Sequence, residues 1–197
     1  SRFFKKMTLA KSVITHRRMT QLYQLEYTME KSTVHLDEVT KKIGKTTVIR
    51  NISMEMYNGT ITVLMGHNGS GKTMLLNLIA GFSKPNSGKI IINGFEMSQN
   101  RDQAQAFLGV SFGDKMLIPD FSVIDQLTFF SLIKGSSLKE TMAEVEQYLS
   151  NMKLKPMRNT LTKHLSVGYR RVLSVCCALI GDSKIIILDD PTVGLDA

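Results

Sequence analysis

No stretch of the 197 residues approaches the about 18–20 uninterrupted apolar residues that a bilayer-crossing helix needs. The charged start, apolar middle and small-residue cleavage site of a secretory leader are also missing. Cysteine is scarce. The only two, Cys176 and Cys177, are adjacent, where a mutual disulfide would be strained. They provide no disulfide framework and no metal-ligand spacing, and read as buried thiols of a reducing compartment. Internal repeats and low-complexity tracts are lacking too. What remains is 43% hydrophobic and 21% charged, which excludes wholesale disorder and leaves room for one globular domain. The chain begins at Ser1 and stops at Ala197 inside a motif, so it is expected to be a piece of a longer polypeptide.

The formal charge of +8 is uneven. Arg2, Lys5, Lys6, Lys11, Arg17, Arg18 and Lys31 outweigh Glu26 and Glu30, so the first 35 residues hold most of the excess. Residues 1–32 therefore read as a basic juxtamembrane linker, in which Phe3, Phe4, Met7, Leu9 and Val13 would form an amphipathic face toward anionic lipid. A solvated linker explains the same composition. Residues 33–197 form the expected domain.

Val34–Val39, Thr46–Met56 and Thr60–Met65 have the β-branched, alternating texture of strands, with a tight Asn58-Gly59 turn between the last two. Thr73–Ala80 reads as a helix closed by Gly81. Lys89–Ile92 and Phe107–Ser111 are further strands. Met142, Val145, Leu149 and Met152 recur at helical spacing, as the core face of one helix. A second helix is expected over Val167–Leu179, followed by the apolar strand Ile185–Leu188, of the buried parallel type.

Chemistry enters at Gly66-His67-Asn68-Gly69-Ser70-Gly71-Lys72-Thr73, which satisfies G-x-x-x-x-G-K-[ST] at every fixed position. Glycine lets backbone N–H groups turn inward onto phosphate oxygens. Lys72 can set its ammonium between the β- and γ-phosphates. Thr73 can offer its hydroxyl to Mg²⁺ at a helix start whose dipole favours anions. Further on, Ile185–Leu188 runs into Asp189, an acid at the carboxyl end of a strand, where α/β sheets bind ligands. Asp189 is the expected Mg²⁺ carboxylate, and Asp190 is placed to orient or deprotonate an attacking water. His16, His35 and His164 have no ligand partners at suitable spacing.

Leu165-Ser166-Val167-Gly168-Tyr169-Arg170-Arg171, followed by a helix and Ile185–Asp190, resembles the signature segment of ATP-binding cassette (ABC) proteins. Pro191–Asp196 resembles the loop that follows their second acidic motif. The wording is most similar to the A subfamily of transporters, many of which move lipids. The resemblance covers about residues 34–197. It implies an α/β fold: a P-loop core with an antiparallel β subdomain and a helical signature subdomain near 115–170. It further implies ATP and Mg²⁺ as cofactors, and a second nucleotide-binding domain, in the same polypeptide, facing this one head to tail. Ser166 and Gly168 would then touch the γ-phosphate held by that partner. Transmembrane domains would complete the transporter and set this domain on the cytosolic face of a membrane, with no nucleic acid involved. His67 falls on a position of the loop where the A subfamily commonly has histidine.

Several positions depart from the family pattern. The aromatic that stacks on adenine falls on Ile43, a glutamine falls on Gly113, and the catalytic glutamate falls on Asp190, one methylene shorter. Val167 replaces a signature glycine. Three functions follow from these residues: an ATPase domain driving transport, a degenerate domain that binds Mg-ATP without hydrolysing it, and a soluble ABC-type ATPase acting on ribosomes. The Arg170-Arg171 pair reads either as a dock for something anionic or as an exposed helix face.

Overall fold

The computed structural model describes residues 32–192, which divide after Ala104 into two compact units. The features expected in residues 1–31 and 193–197 lie outside the described residues.

The first unit is built on an antiparallel sheet of order β2-β1-β3-β4, from β1 (Ser32–Ile43), β2 (Thr46–Tyr57), β3 (Ser87–Ile92) and β4 (Phe95–Glu96). Alternation along β1 sets its buried face, because successive side chains point to opposite sides of a strand. Val34 and Leu36 are buried opposite Ile92 and Ile90 of β3. Full burial of such a side chain is worth about 1.5–3 kcal/mol. The register of β1 shifts between Leu36 and Val39 against β2, and Glu38 takes a left-handed φ of 48° at this bulge. Gly88 faces the same irregularity. A Cβ there would stand 2.4 Å from the Asp37 carbonyl oxygen, so the close approach requires glycine. Helix α1 (Lys72–Ile79) buries Leu75, Leu78 and Ile79. It ends at Gly81, whose φ of 75° lets the chain turn so that the Phe82 N–H reaches the Asn77 carbonyl at 2.9 Å.

One expected strand is corrected here. Between β2 and α1, Ile61 is a single bridge position and residues 62–67 are irregular. Val63 and Met65 are 57% and 89% exposed. A strand needs a partner along its edge, and none of the named strands of either sheet pairs with Thr60–Met65. The Asn58-Gly59 turn does form, with the Thr60 hydroxyl donating to the Tyr57 carbonyl at 2.7 Å.

The second unit holds α3 (Val123–Ile133), α4 (Leu138–Asn151) and α5 (Val167–Leu179), with the parallel pair β5 (Leu108–Ser111) and β6 (Ile185–Leu188). The short α2 (Arg101–Gln105) spans the division between the units. Ser122 with Asp125, and Ser137 with Glu140, make capping boxes that start α3 and α4. Val145 and Leu149 are buried as the periodicity predicts, together with Leu127, Leu173 and both cysteines. Met142 is exposed instead. Burial pushes the Cys176 thiol up to about 12 and the Cys177 thiol higher still, so both are unreactive packing groups. Helix α5 and β6 have the residue bounds that the sequence predicts, although only Ile187 of β6 is fully buried. Gly109 lets β5 approach α5: a Cβ there would lie 1.9 Å from the Ala178 carbonyl oxygen.

Candidate nucleotide-binding site

The glycine-rich loop closes the gap between β2 and α1. Ser70 N–H donates to the His67 carbonyl at 3.1 Å, making the tight turn. Gly69 and Gly71 take φ values of 81° and 94°, in the region where L side chains are strained. Gly71 is fixed by space as well as by φ. Its Cβ would come within 2.9 Å of Ile49 Cδ1 and 3.2 Å of the Val48 carbonyl oxygen. Lys72 bends back across the loop, its Nζ donating to the carbonyls of Gly66 at 2.8 Å and His67 at 3.0 Å. Gly66, His67, Asn68, Gly69, Ser70 and Thr73 are exposed around it. Thr73 is the second residue of α1 and its carbonyl accepts from Asn77 Nδ2 at 2.7 Å. One ammonium, a hydroxyl and an unshielded helix N-terminus thus meet at one exposed loop, with no acidic residue in the first turn to repel an anion. The residues present fit a phosphate group. Ile43 sits at the tip of the β1–β2 hairpin and is 53% exposed. It offers apolar contact but no ring.

In the second unit, Asp189 follows β6 and its N–H donates to the Ser111 carbonyl at 2.9 Å, which fixes its backbone beside the end of β5. Asp190 is exposed with a φ of 47°. Asp tolerates this region better than most residues, yet no feature of the sequence announces it. Ser166 is the N-cap of α5, its hydroxyl accepting from the Tyr169 N–H at 3.3 Å. Val167 and Tyr169 are exposed at the same helix start, and Gly168 is half-buried between them. Among the described residues no three His, Cys, Asp or Glu side chains cluster as a metal site.

Sequence reasoning missed how α5 is fastened. Arg170 donates to the Leu165 carbonyl at 2.6 Å and pairs with Asp114 at 3.2 Å. A Cβ on Gly113 would lie 1.9 Å from the Arg171 Nη1, so the guanidinium fills the space beside this glycine. Both arginines are half-buried, which corrects the expectation of an exposed helix face. The buried Ser174 hydroxyl donates to the Gly113 carbonyl at 2.6 Å and meets the Ser111 hydroxyl at 2.7 Å. Only Arg170-Arg171 gave a signal of this in the sequence.

A mixed α/β architecture with an antiparallel sheet, a phosphate-type loop opening a helix, and a separate helical unit define an ATP-binding-cassette fold. The structure is similar to an ABC transporter ATP-binding subunit (TM-score 0.78, 21% identity, 84% of this chain and 69% of that one). It is also similar to the dimeric cassette MJ0796 bound to ADP and Pi (TM-score 0.75, 26% identity, 83% and 76% covered). The family model described as ABC transporter matches residues 49–193, and the chain belongs to that family. Its curated relatives include A-subfamily members. The phospholipid-transporting ATPase ABCA3 of Mus musculus is 41% identical over 149 residues, 76% of this chain and 9% of its own length. ABCA3 of Homo sapiens is 39% identical over 83% of this chain, and the sub-family A member 17 of Mus musculus is 37% identical over 88%. This chain spans about a tenth of the length of these relatives.

Proposed function

We propose that this chain is the Mg-ATP-binding domain of an A-type membrane transporter, working on the cytosolic face against a second nucleotide-binding domain to drive movement of phospholipid. The observation that carries this reading is the loop at 66–73, with Lys72 folded over two of its carbonyls and Gly71 locked by φ and by space. Residues 1–32 link the domain to membrane-spanning segments in this proposal, and residues 33–197 make the domain. The loop N–H groups from Gly66 to Gly71 and the Lys72 ammonium bind the phosphates, and Ile43 packs on the base. The Thr73 hydroxyl of the first unit and the Asp189 carboxylate of the second are each proposed as an oxygen for Mg²⁺, whose charge would offset that of the phosphates. Asp190 orients water. Ser166 and Gly168 reach the nucleotide of the partner domain, with helix N-terminal polarity behind them.

A second reading keeps the setting and removes the turnover. A general base must come within about 2.6–3.2 Å of its proton, directly or through one water. Asp190 has a short side chain on a left-handed backbone, and Gly113 offers no side chain at all. Both favour a domain that binds Mg-ATP and acts as a regulatory clamp. The soluble ribosomal reading has less support, because the relatives are named as transporting ATPases. Single-turnover hydrolysis by the full-length protein separates the two remaining readings. Turnover abolished by Lys72→Ala marks a motor; nucleotide binding without Lys72-dependent turnover marks a clamp. Failure to bind any nucleotide overturns both.

A further inference from the structure

Away from the nucleotide loop, the first unit has a cavity of about 200 Å³ between the chain that leaves α1 and the turn after β4. Its lining includes Lys84, Lys89 and Arg101, and no Asp or Glu. Among the described residues none of these three cations has a carboxylate partner. A fourth ammonium, Lys41 Nζ, donates to the Lys84 carbonyl at 2.6 Å. Three acids lie close in sequence or register to the lining residues, and one of them, Asp102, follows Arg101 directly in α2. Glu96 accepts from the Ser98 hydroxyl and from Gln99. Asp37 stands opposite Lys89 in the β1–β3 register without an ion pair between them.

Cations gathered around one concavity repel one another, and an anion relieves all of them at once. The helix end beside the cavity does not oppose this. The α1 carbonyls of Asn77 and Leu78 already accept from Gly81, Phe82 and Ser83 N–H groups. The buried Ile90 and Met97 add an apolar part to the lining, beside the exposed cations. Hydroxyls of Ser83 and Ser87 supply neutral donors at the wall. Drug-sized ligands occupy about 300–1,000 Å³, so this smaller space fits a compact anion.

We propose that this cavity is a second phosphate site, separate from the nucleotide loop, which takes a phosphate group through Lys84, Lys89 and Arg101. The group arrives either as a free phosphate or as the exposed headgroup of an anionic phospholipid. The claim stands independently of nucleotide binding at 66–73.

The test uses the full-length protein carrying Lys72→Ala, so that the nucleotide loop does not report, and follows backbone amides of residues 83–89 and 98–101 by NMR. Inorganic phosphate is titrated in one arm. Vesicles of phosphatidylcholine with and without phosphatidic acid are titrated in the other. Saturable shifts confined to those amides are expected in at least one arm, and the responding arm names the source. Each of Lys89→Ala and Arg101→Ala should weaken binding about fivefold, the value of one charge at close range in water, with thermal midpoints confirming intact folds. Absence of saturable shifts in both arms overturns the proposal. So does binding that survives the Lys89→Ala, Arg101→Ala double variant unchanged.

Discussion

Gly71→Ala is the sharpest probe of the loop, because two independent costs fall on one methyl group. A left-handed backbone costs an L residue about 1–2 kcal/mol, and Gly71 has a φ of 94°. The new Cβ would also press on Ile49 Cδ1 at 2.9 Å and the Val48 carbonyl at 3.2 Å. The first neighbour is a side-chain tip and can move; the second is backbone and yields less. Relief of such overpacking costs about 1–3 kcal/mol. Together the two terms disfavour the loop conformation by about 2–5 kcal/mol, which is about 30-fold or more in ATP affinity. Gly69→Ala is the matched control. Its φ is 81°, but nothing lies within 4 Å of the added Cβ, so only the backbone cost of about 1–2 kcal/mol applies. Equilibrium binding of labelled ATP to the two full-length variants should rank Gly71→Ala clearly below Gly69→Ala, with circular dichroism unchanged. Equal affinities for the two, or wild-type affinity for Gly71→Ala, would refute the reasoning.

Gly109→Ala should destabilise the second unit by about 3 kcal/mol or more, because its Cβ would meet the Ala178 carbonyl oxygen at 1.9 Å; an unchanged denaturant midpoint would contradict this. Asp190→Gly should hold or raise the thermal midpoint, since glycine relieves the φ of 47°, while Asp190→Glu should lower it; the opposite order would contradict the left-handed assignment. Lys134 gives a pH signature. Burial lowers its ammonium from 10.5 to about 8, against the attraction of Cys177 and Glu144. Between those values the unfolded chain keeps a proton that the folded chain has released, so the Lys134 contribution to stability grows as pH climbs from about 8 to 10.5, while the two buried thiols, held above their ordinary range, contribute in the opposite sense. Stability should therefore fall more steeply with pH across this range in Lys134→Met than in the parent; a melting series with equal slopes for both proteins would contradict the assignment.

The residues that were legible in the sequence carry local instructions. The serine before Val167 caps α5, the apolar run Ile185–Leu188 is bounded by polar residues, and both elements have the predicted ends. The loop at 66–73 is equally local, since its glycines and lysine are consecutive. The losses all depend on distant partners. Thr60–Met65 has strand composition, but composition supplies no neighbour to complete a ladder. Gly113 reads as a missing side chain until Arg171 is seen beside it. Lys134, a lone lysine before Gly135, donates to the carbonyls of Cys177, Ala178 and Ile180 at the end of α5, a pairing across more than forty residues. Asp190 is missed differently, because nothing in its own identity or its neighbours announces the left-handed φ of 47° that it takes before Pro191.

In the proposed function, Lys72 and its loop organise an ATP site. Equilibrium binding of Mg-ATP to the full-length protein, compared with Lys72→Ala while the partner nucleotide site is disabled, tests it most directly. One bound nucleotide is expected in the parent and a large loss in the variant, because the ammonium that bridges the loop is gone. Binding that is equal in both proteins would contradict it.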